Sequence, residues 1–393
     1  MKILVANLGS TSLKYRLFDF SGGTERMVTR GGWERVTDYA ATIDSCLGEL
    51  LAGGFIRDES DLAAVGFKTN MARGLTGCRP LDEDVLRRME EYNATAPAHN
   101  PPYIMGVRLF AQRMPKVPLV GLFETAFYQW APEAAMRYAV PESWYQAGVR
   151  RWGFHGASHK FVAERSAELL GRGDVAARAR QLYVDCGKSP VRSPALRVVS
   201  CHLGGSSSVT GIRDGVAIGT SMGLSPQSGL PQNNRVGDLD SFALPFMTRT
   251  TGMTVEEAER QLCKESGLKA LSGGYTDFRD ITAQAAQGNA RAQLALDVFI
   301  DNARHWIGAF YLKLNGLDAL VFTAGIGEHN PELRTAICRD LDQLGIVLDP
   351  KRNAHAHADE TVSAPESRVK IMVIPTNEEL VVAREVRRFL QAN

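Results

Sequence analysis

Two ten-residue stretches of this chain read as one element used twice. Ile3-Leu4-Val5-Ala6-Asn7-Leu8-Gly9-Ser10-Thr11-Ser12 aligns with Val198-Val199-Ser200-Cys201-His202-Leu203-Gly204-Gly205-Ser206-Ser207. In each, an apolar run ends in a polar residue, then Leu-Gly, then small residues rich in hydroxyls. The pattern predicts strand, tight turn and second strand, with glycine supplying a turn that a residue with a Cβ resists. Ser and Thr at such a turn set hydroxyls and unshielded N–H groups where a phosphate oxygen can be cradled. One such hairpin opens each half of the chain. Two related domains gripping a nucleotide between them are therefore expected, because internal similarity constrains an architecture before any single element does.

A length of 393 residues exceeds what one ordinary core holds, which agrees with two domains. Lys and Arg number 45 against 44 for Asp and Glu, so no whole-chain field favours nucleic acid or a membrane surface, and any anion site must be local. The chain enters a strand at once and holds no apolar run of bilayer length, so neither a signal peptide nor a membrane span is expected. The cysteines at 46, 78, 186, 201, 263 and 338 are scattered without a CxxC, which reads as reduced thiols in a cytoplasmic protein.

Periodicity predicts strands at 2–7, 12–19, 62–67 and 117–123, and helices at 38–54, 82–92, 100–113 and 157–171. Residues 172–196, polar with Gly, Pro and several Arg, read as a loop between halves. The second half reads as strands at 197–203, 207–212 and 216–220, with a turn at Arg213-Asp214-Gly215. Helices follow at 240–250, 254–264, 280–287 and 289–314. A strand at 319–323 runs into the Gly-rich turn Gly325-Ile326-Gly327-Glu328. A helix at 331–344, an exposed connection at 355–368, a strand at 369–374 and a terminal helix opened by Pro375 to Glu379 complete the pattern. Alternating strands and helices after paired hairpins give an α/β layer architecture.

Five further segments carry chemistry-bearing residues. Ala96-Pro97-Ala98-His99-Asn100-Pro101 sets a His before a helix. Phe123-Glu124-Thr125 ends a strand in a carboxylate. Gly153-Phe154-His155-Gly156 and Arg235-Val236-Gly237-Asp238 put cationic groups beside glycine. Thr323-Ala324-Gly325-Ile326-Gly327-Glu328 is the strand-to-loop turn. In this order, from Asn7 to Glu379, the set resembles the acetate/propionate kinase (acetokinase) family of the sugar kinase, Hsp70 and actin superfamily.

The resemblance implies two duplicated actin/Hsp70-like (ribonuclease H-like) domains, 1–150 and 151–393, with a nucleotide cleft between them and the terminal helix packing back on the first. It implies transfer of the γ-phosphoryl group of ATP to a small carboxylate, reversibly, with Mg²⁺ as cofactor and a homodimer formed through the second domain. By the same resemblance Asn7, Ser10, Ser12 and Lys14 match a phosphate and Mg²⁺ loop, and Asn7 and Glu378 match the metal positions. His155, His202 and Arg235 match groups that stabilise the transferring phosphoryl, and His99 and Glu124 match further catalytic positions. Gly204, Gly205 and Ser206, with Asp277, Phe278, Arg279 and Gly325 to Glu328, match the nucleotide pocket. Lys68, Asn70, Ala98, Phe154 and Pro226 match the acceptor pocket. The chemistry asks for such a set, since a loose phosphoryl transition state spreads charge over three oxygens and is served by positioning and cationic clamps.

Plainer readings stand beside these. His99 could be a structural His ahead of its helix, and His159 reads as structural. Glu378 and Glu379 could each favour a helix N-terminus electrostatically. The acceptor side departs from the family pattern: Lys68 stands for an Arg, Asn70 for a Val, Ala98 for a Leu and Glu124 for an Asp. An Arg-to-Lys change replaces a bidentate fork by a point charge. Two alternatives follow, a kinase of the same fold for a larger or more polar acid, and a non-catalytic nucleotide-binding homologue.

Overall fold

A computed structural model describes residues 1–9, 11–97 and 99–392. Two predicted site residues, Ser10 and Ala98, lie outside the described residues. The chain forms two compact units. Unit one comprises Met1–Gln129, Gly156–Phe161 and Asn377–Asn393; unit two comprises Trp130–His155 and Val162–Thr376.

Unit one is built on a six-stranded sheet of β1 (Lys2–Leu8), β2 (Ser12–Asp19), β3 (Arg26–Glu34), β4 (Leu62–Thr69), β5 (Cys78–Pro80) and β6 (Leu119–Phe123). Their order is β3-β2-β1-β4-β6-β5. β1, β2 and β3 form an antiparallel meander, β1, β4 and β6 run parallel, and β5 closes the far edge antiparallel to β6. Ile3, Leu4, Val5 and Ala6 are all fully buried. A strand covered on both faces needs such a continuous apolar run. Leu4, Ala6 and Leu8 pack into a cluster with Ile43, Leu47 and Leu50 of the helix Tyr39–Ala52 and Val107 and Phe110 of the helix Asn100–Arg113. On the opposite face Gly66 lies against Val382 and Val386 of the terminal helix Glu378–Ala392.

Unit two repeats the plan with β7 (Arg197–Leu203), β8 (Ser207–Arg213), β9 (Val216–Thr220), β10 (Ala319–Thr323), β11 (Glu360–Thr361) and β12 (Lys370–Val373). The order is β11-β12-β10-β7-β8-β9. The antiparallel meander, the three parallel strands and the short antiparallel edge strand recur one for one. Its long helix Ala290–Leu314 buries Ala292, Ala295, Phe299, Ala303, Ile307, Phe310 and Leu314, a stripe at helical spacing.

Several elements differ from the sequence-based expectation. Residues 173–185 form a helix within the stretch read as a loop, and Val175, Ala176, Ala179 and Leu182 bury its inner face. The expected exposed connection 355–368 contains β11, and Val362, Ser363 and Ala364 are buried. The Gly325–Glu328 turn is part of a short helix, Ala324–His329, entered through a left-handed Ala324. The helix begun by Pro331 ends at Cys338 rather than 344. β3 was not expected from the sequence; it is an edge strand held by its ladder to β2 and by Val28 and Trp33, which pack against the core.

Candidate active site

In unit one the chemistry gathers at the C-terminal ends of the parallel strands, the usual place for ligands in such sheets. Asn7 is the penultimate residue of β1, Lys68 that of β4, and Glu124 follows β6 directly. Lys68 Nζ lies 3.2 Å from Glu124 Oε1 and also pairs with Glu378 Oε2, at the first turn of the terminal helix. Burial works against the Lys68 charge, but Glu378 and then Glu124 outweigh it and hold the ammonium well above its ordinary range. Burial raises the Glu124 carboxyl above the usual carboxylate range; Lys68 opposes that shift and Glu378 adds to it.

The neighbouring acids of the terminal helix are separated by geometry. Glu378 turns to Lys68, whereas Glu379 lies 3.4 Å from Arg16 on β2. Arg16 also donates to Asn377 Oδ1 at 2.9 Å, so the helix start is held on both sides of Glu378. Lys14 stands opposite Asn7 in the β1–β2 ladder and pairs with Glu34 at 2.9 Å. Both side chains of that pair are more than 60% exposed, so it contributes little and leaves Lys14 available to an anion. Ser12 opens β2. Asn70 follows β4, is buried, and its amide nitrogen has no hydrogen-bond partner among the described residues. His99 sits at the N-cap of the helix Asn100–Arg113 and makes no side-chain capping bond there.

Unit two brings His155 and His202 together. His202 is the sixth residue of β7. His155 precedes the helix Gly156–Leu169 with φ 57°, a left-handed conformation unusual for a residue with a side chain. The next residue must be glycine, because a Cβ at Gly156 would meet the Glu124 carbonyl oxygen at 2.1 Å. The imidazoles stack with centroids 4.0 Å apart and planes 19° apart, and His155 Nδ1 lies 2.8 Å from Ser208 Oγ. Phe154, beside them in sequence, is buried.

A chain of hydrogen bonds ties the second hairpin to the Arg235 loop. Ser206 Oγ donates to Gln232 Oε1 at 2.8 Å, Gln232 Nε2 to the Pro226 carbonyl at 2.7 Å, and Arg235 to that same carbonyl at 2.9 Å. The Asn233 N–H donates to the Gly205 carbonyl at 3.2 Å. No carboxylate pairs with Arg235 among the described residues, and desolvation lowers its guanidinium to about 10. A partly desolvated cation with only a carbonyl for company is a site for an incoming anion.

Beside this loop a cavity of about 480 Å³ is lined by Gly204, Gly205, Asp277, Phe278, Arg279, Gly325 and Ile326, together with Asn233, His329 and Asn330, which were not among the expected pocket residues. Asp277 caps the helix Phe278–Ala286, and hydrogen bonds from Arg279 hold its carboxyl at about 2. Gly327 and Glu328 are not among the lining residues. The Thr376 N–H donates to Glu328 at 3.4 Å, and the Gly327 and Glu328 carbonyls both accept from Arg334 at 2.8 Å. Arg334 is 1% exposed and also binds Asn353, so it clamps the end of the Gly-rich helix without touching the cavity. Its only sequence signal was a basic residue on a helix face otherwise apolar.

A mixed sheet used twice, with polar groups at the C-terminal ends of its parallel strands, defines a duplicated actin/Hsp70-like fold of the phosphotransferase class. The chain belongs to the acetokinase family, whose profile matches residues 2–384. It is 38% identical to the acetate kinase of Pseudothermotoga lettingae over 100% of this chain and 98% of that one. The structure of acetate kinase from Porphyromonas gingivalis superposes with a TM-score of 0.83 at 30% identity, covering 99% of each chain. A propionate kinase from Francisella tularensis gives 0.82 at 29% identity over 98% of each. The family comprises phosphotransferases with a carboxyl group as acceptor, and this chain is one of them.

Proposed function

We propose that this protein transfers the γ-phosphoryl group of ATP to acetate or propionate, giving the acyl phosphate and ADP, and runs the reverse reaction with the same groups. The observation that carries this reading is the full-length correspondence with kinases named for those acids. It does not favour a larger or more polar acceptor, or a non-catalytic homologue.

The residues fit the chemistry. We assign adenosine to the cavity bounded by Phe278, Gly325 and Ile326, and the transferring phosphoryl group to Arg235, His155 and His202. Positive charge and N–H donors aimed at developing oxygen charge act mainly in the transition state. The acceptor carboxylate is ionised at neutral pH and is itself the nucleophile, so no general base is required. We place it near Lys68 and Asn70 of unit one. Glu124, raised by burial and held by Lys68, orients that ammonium.

Among the described residues no three His, Cys, Asp or Glu side chains converge, but Mg²⁺ needs only one or two carboxylates and completes its shell with phosphate oxygens and water. Glu378 and Glu124, bridged by one ammonium, fit that requirement, and we assign the ion to Glu378. When bound, Mg²⁺ supplies charge neutralisation of the phosphates.

The test is acyl phosphate formation trapped as the hydroxamate, with acetate, propionate and lactate offered in turn. Acetate or propionate should rank first. No product from either at millimolar acid, with Mg-ATP binding intact by calorimetry, would refute the activity. A higher kcat/KM for lactate would instead refute the acceptor.

We also propose a cytoplasmic homodimer. Leu239, Phe242, Phe246 and Met247 leave an exposed apolar surface on unit two, with Phe242 79% exposed, and a patch of that kind is a common subunit contact. The six free cysteines suit a reducing compartment. Light scattering should return twice the chain mass, and Phe242→Glu should return the chain mass. A monomer at micromolar wild-type concentration would end this reading.

A further inference from the structure

The β2–β3 ribbon carries two arginines that the phosphoryl-transfer roles above do not use. On β2, Leu13, Tyr15 and Leu17 are buried, and Lys14 and Arg16 take the opposite face. Across the ladder Arg30 stands directly opposite Arg16, and Gly32 opposite Lys14. Like charges directly opposite each other in an antiparallel pair repel.

A cavity of about 380 Å³ opens over this face, and its floor and wall come entirely from unit one. Lys14, Arg16 and Arg30 supply its cations, Glu34 and Glu379 its carboxylates. Each carboxylate already has a partner, Glu34 in Lys14 at 2.9 Å and Glu379 in Arg16 at 3.4 Å. Arg30 is exposed and pairs with no carboxylate among the described residues. Gly32 keeps the hollow open. A Cβ there would sit 2.9 Å from the Leu13 carbonyl oxygen and 3.0 Å from Lys14 Cγ, so no side chain grows into the space from that position. The cavity thus has two facing guanidiniums and one cation more than its carboxylates balance. An anion between the arginines turns their repulsion into attraction. A single carboxylate has two oxygens, enough for one arginine fork, whereas a phosphate group has oxygens for both.

We propose that this face is a second anion site, in which Arg16 and Arg30 grip a phosphate group, either inorganic phosphate or the phosphate of a small monoester. It is built from other residues than the phosphoryl-transfer groups Arg235, His155 and His202, which belong to unit two, and it does not depend on the carboxylate-kinase reading. Glu379 competes with the anion for Arg16.

The test is calorimetric titration of inorganic phosphate and of glycerol 3-phosphate, without Mg²⁺ or nucleotide, into wild type and four variants. Arg30 is exposed on an edge strand, so Arg30→Gln keeps the fold. It should weaken phosphate binding by at least about tenfold, the size expected for a charge-assisted contact. Glu379→Gln should tighten binding by about threefold, because the competing carboxylate is gone. Arg26→Gln lies on the same strand outside the cavity and should change affinity by less than about twofold. Arg235→Ala should retain the binding event. Protection of Arg30 from phenylglyoxal by phosphate, read by peptide mass mapping, places the anion without any substitution. Glycerol 3-phosphate binding more tightly than inorganic phosphate would name the monoester as the ligand, and the reverse order the free anion. Equal losses in Arg30→Gln and Arg26→Gln would reduce the effect to general surface charge and overturn the proposal. So would a loss confined to Arg235→Ala, or no binding of either probe to wild type at millimolar concentration.

Discussion

Arg235→Ala is expected to lower kcat for acyl phosphate formation by about 10²–10³-fold while moving the KM for ATP by no more than about threefold. The guanidinium has a carbonyl partner, no carboxylate partner among the described residues, and a pKa lowered by desolvation. Its charge is therefore under-compensated until an anion arrives, and the attraction grows as charge spreads over the transferring phosphoryl oxygens. The cavity to which we assign adenosine lies along Phe278, Gly325 and Ile326, so nucleotide affinity should survive the change. Steady-state kinetics with calorimetric ADP binding decides the matter. Normal kcat with a raised ATP KM would mean that Arg235 holds the nucleotide ground state and does not act on the transition state.

Lys68→Ala is expected to destabilise the protein by about 3–5 kcal/mol, as removal of one member of a buried ion pair commonly does. Its ammonium is the shared partner of Glu124 and Glu378, and the three side chains are 20%, 7% and 10% exposed. Without it, two carboxylates face each other in a poorly solvated place, and at least one is left without compensation. Adding Glu378→Gln should therefore recover part of the loss. Urea unfolding of the wild type, both single variants and the double variant measures the coupling directly. If the double variant is less stable than Lys68→Ala by the full cost of Glu378→Gln alone, the two groups act independently and the shared ion pair has no energetic content.

Much of this was legible in the sequence, for identifiable reasons. The paired hairpins announced the duplication because a strand-turn-strand with hydroxyl-rich turns leaves a pattern short enough to read twice. The duplication extends further than the pattern did, to all six strands of each sheet. β3 and the helix 173–185 escaped. β3 reads Arg26-Met27-Val28-Thr29-Arg30-Gly31-Gly32-Trp33-Glu34, in which two glycines and scattered charges break the alternation, and its ladder to β2 adds to what Val28 and Trp33 bury. The helix buries Val175, Ala176, Ala179 and Leu182, and two of those four are alanines, which look alike on a core face and in a loop.

At the site, residue types were legible and directions were not. Glu378 and Glu379 are chemically the same, but successive residues of a helix point about 100° apart, and one meets Lys68 while the other meets Arg16.

The two sheets share a strand order but not the groups at their rims. The β1 rim carries an amide and the matching β7 rim an imidazole; the β4 rim carries an ammonium where β10 ends in a threonine. None of these polar side chains belongs to the apolar clusters that hold either sheet together. Rims and interiors are thus chemically independent compartments of one repeated scaffold. Such a scaffold can trade an anion-gripping edge for a cation-gripping one without renegotiating its core, and repetition of the backbone places no obligation on either copy to repeat its partner's chemistry.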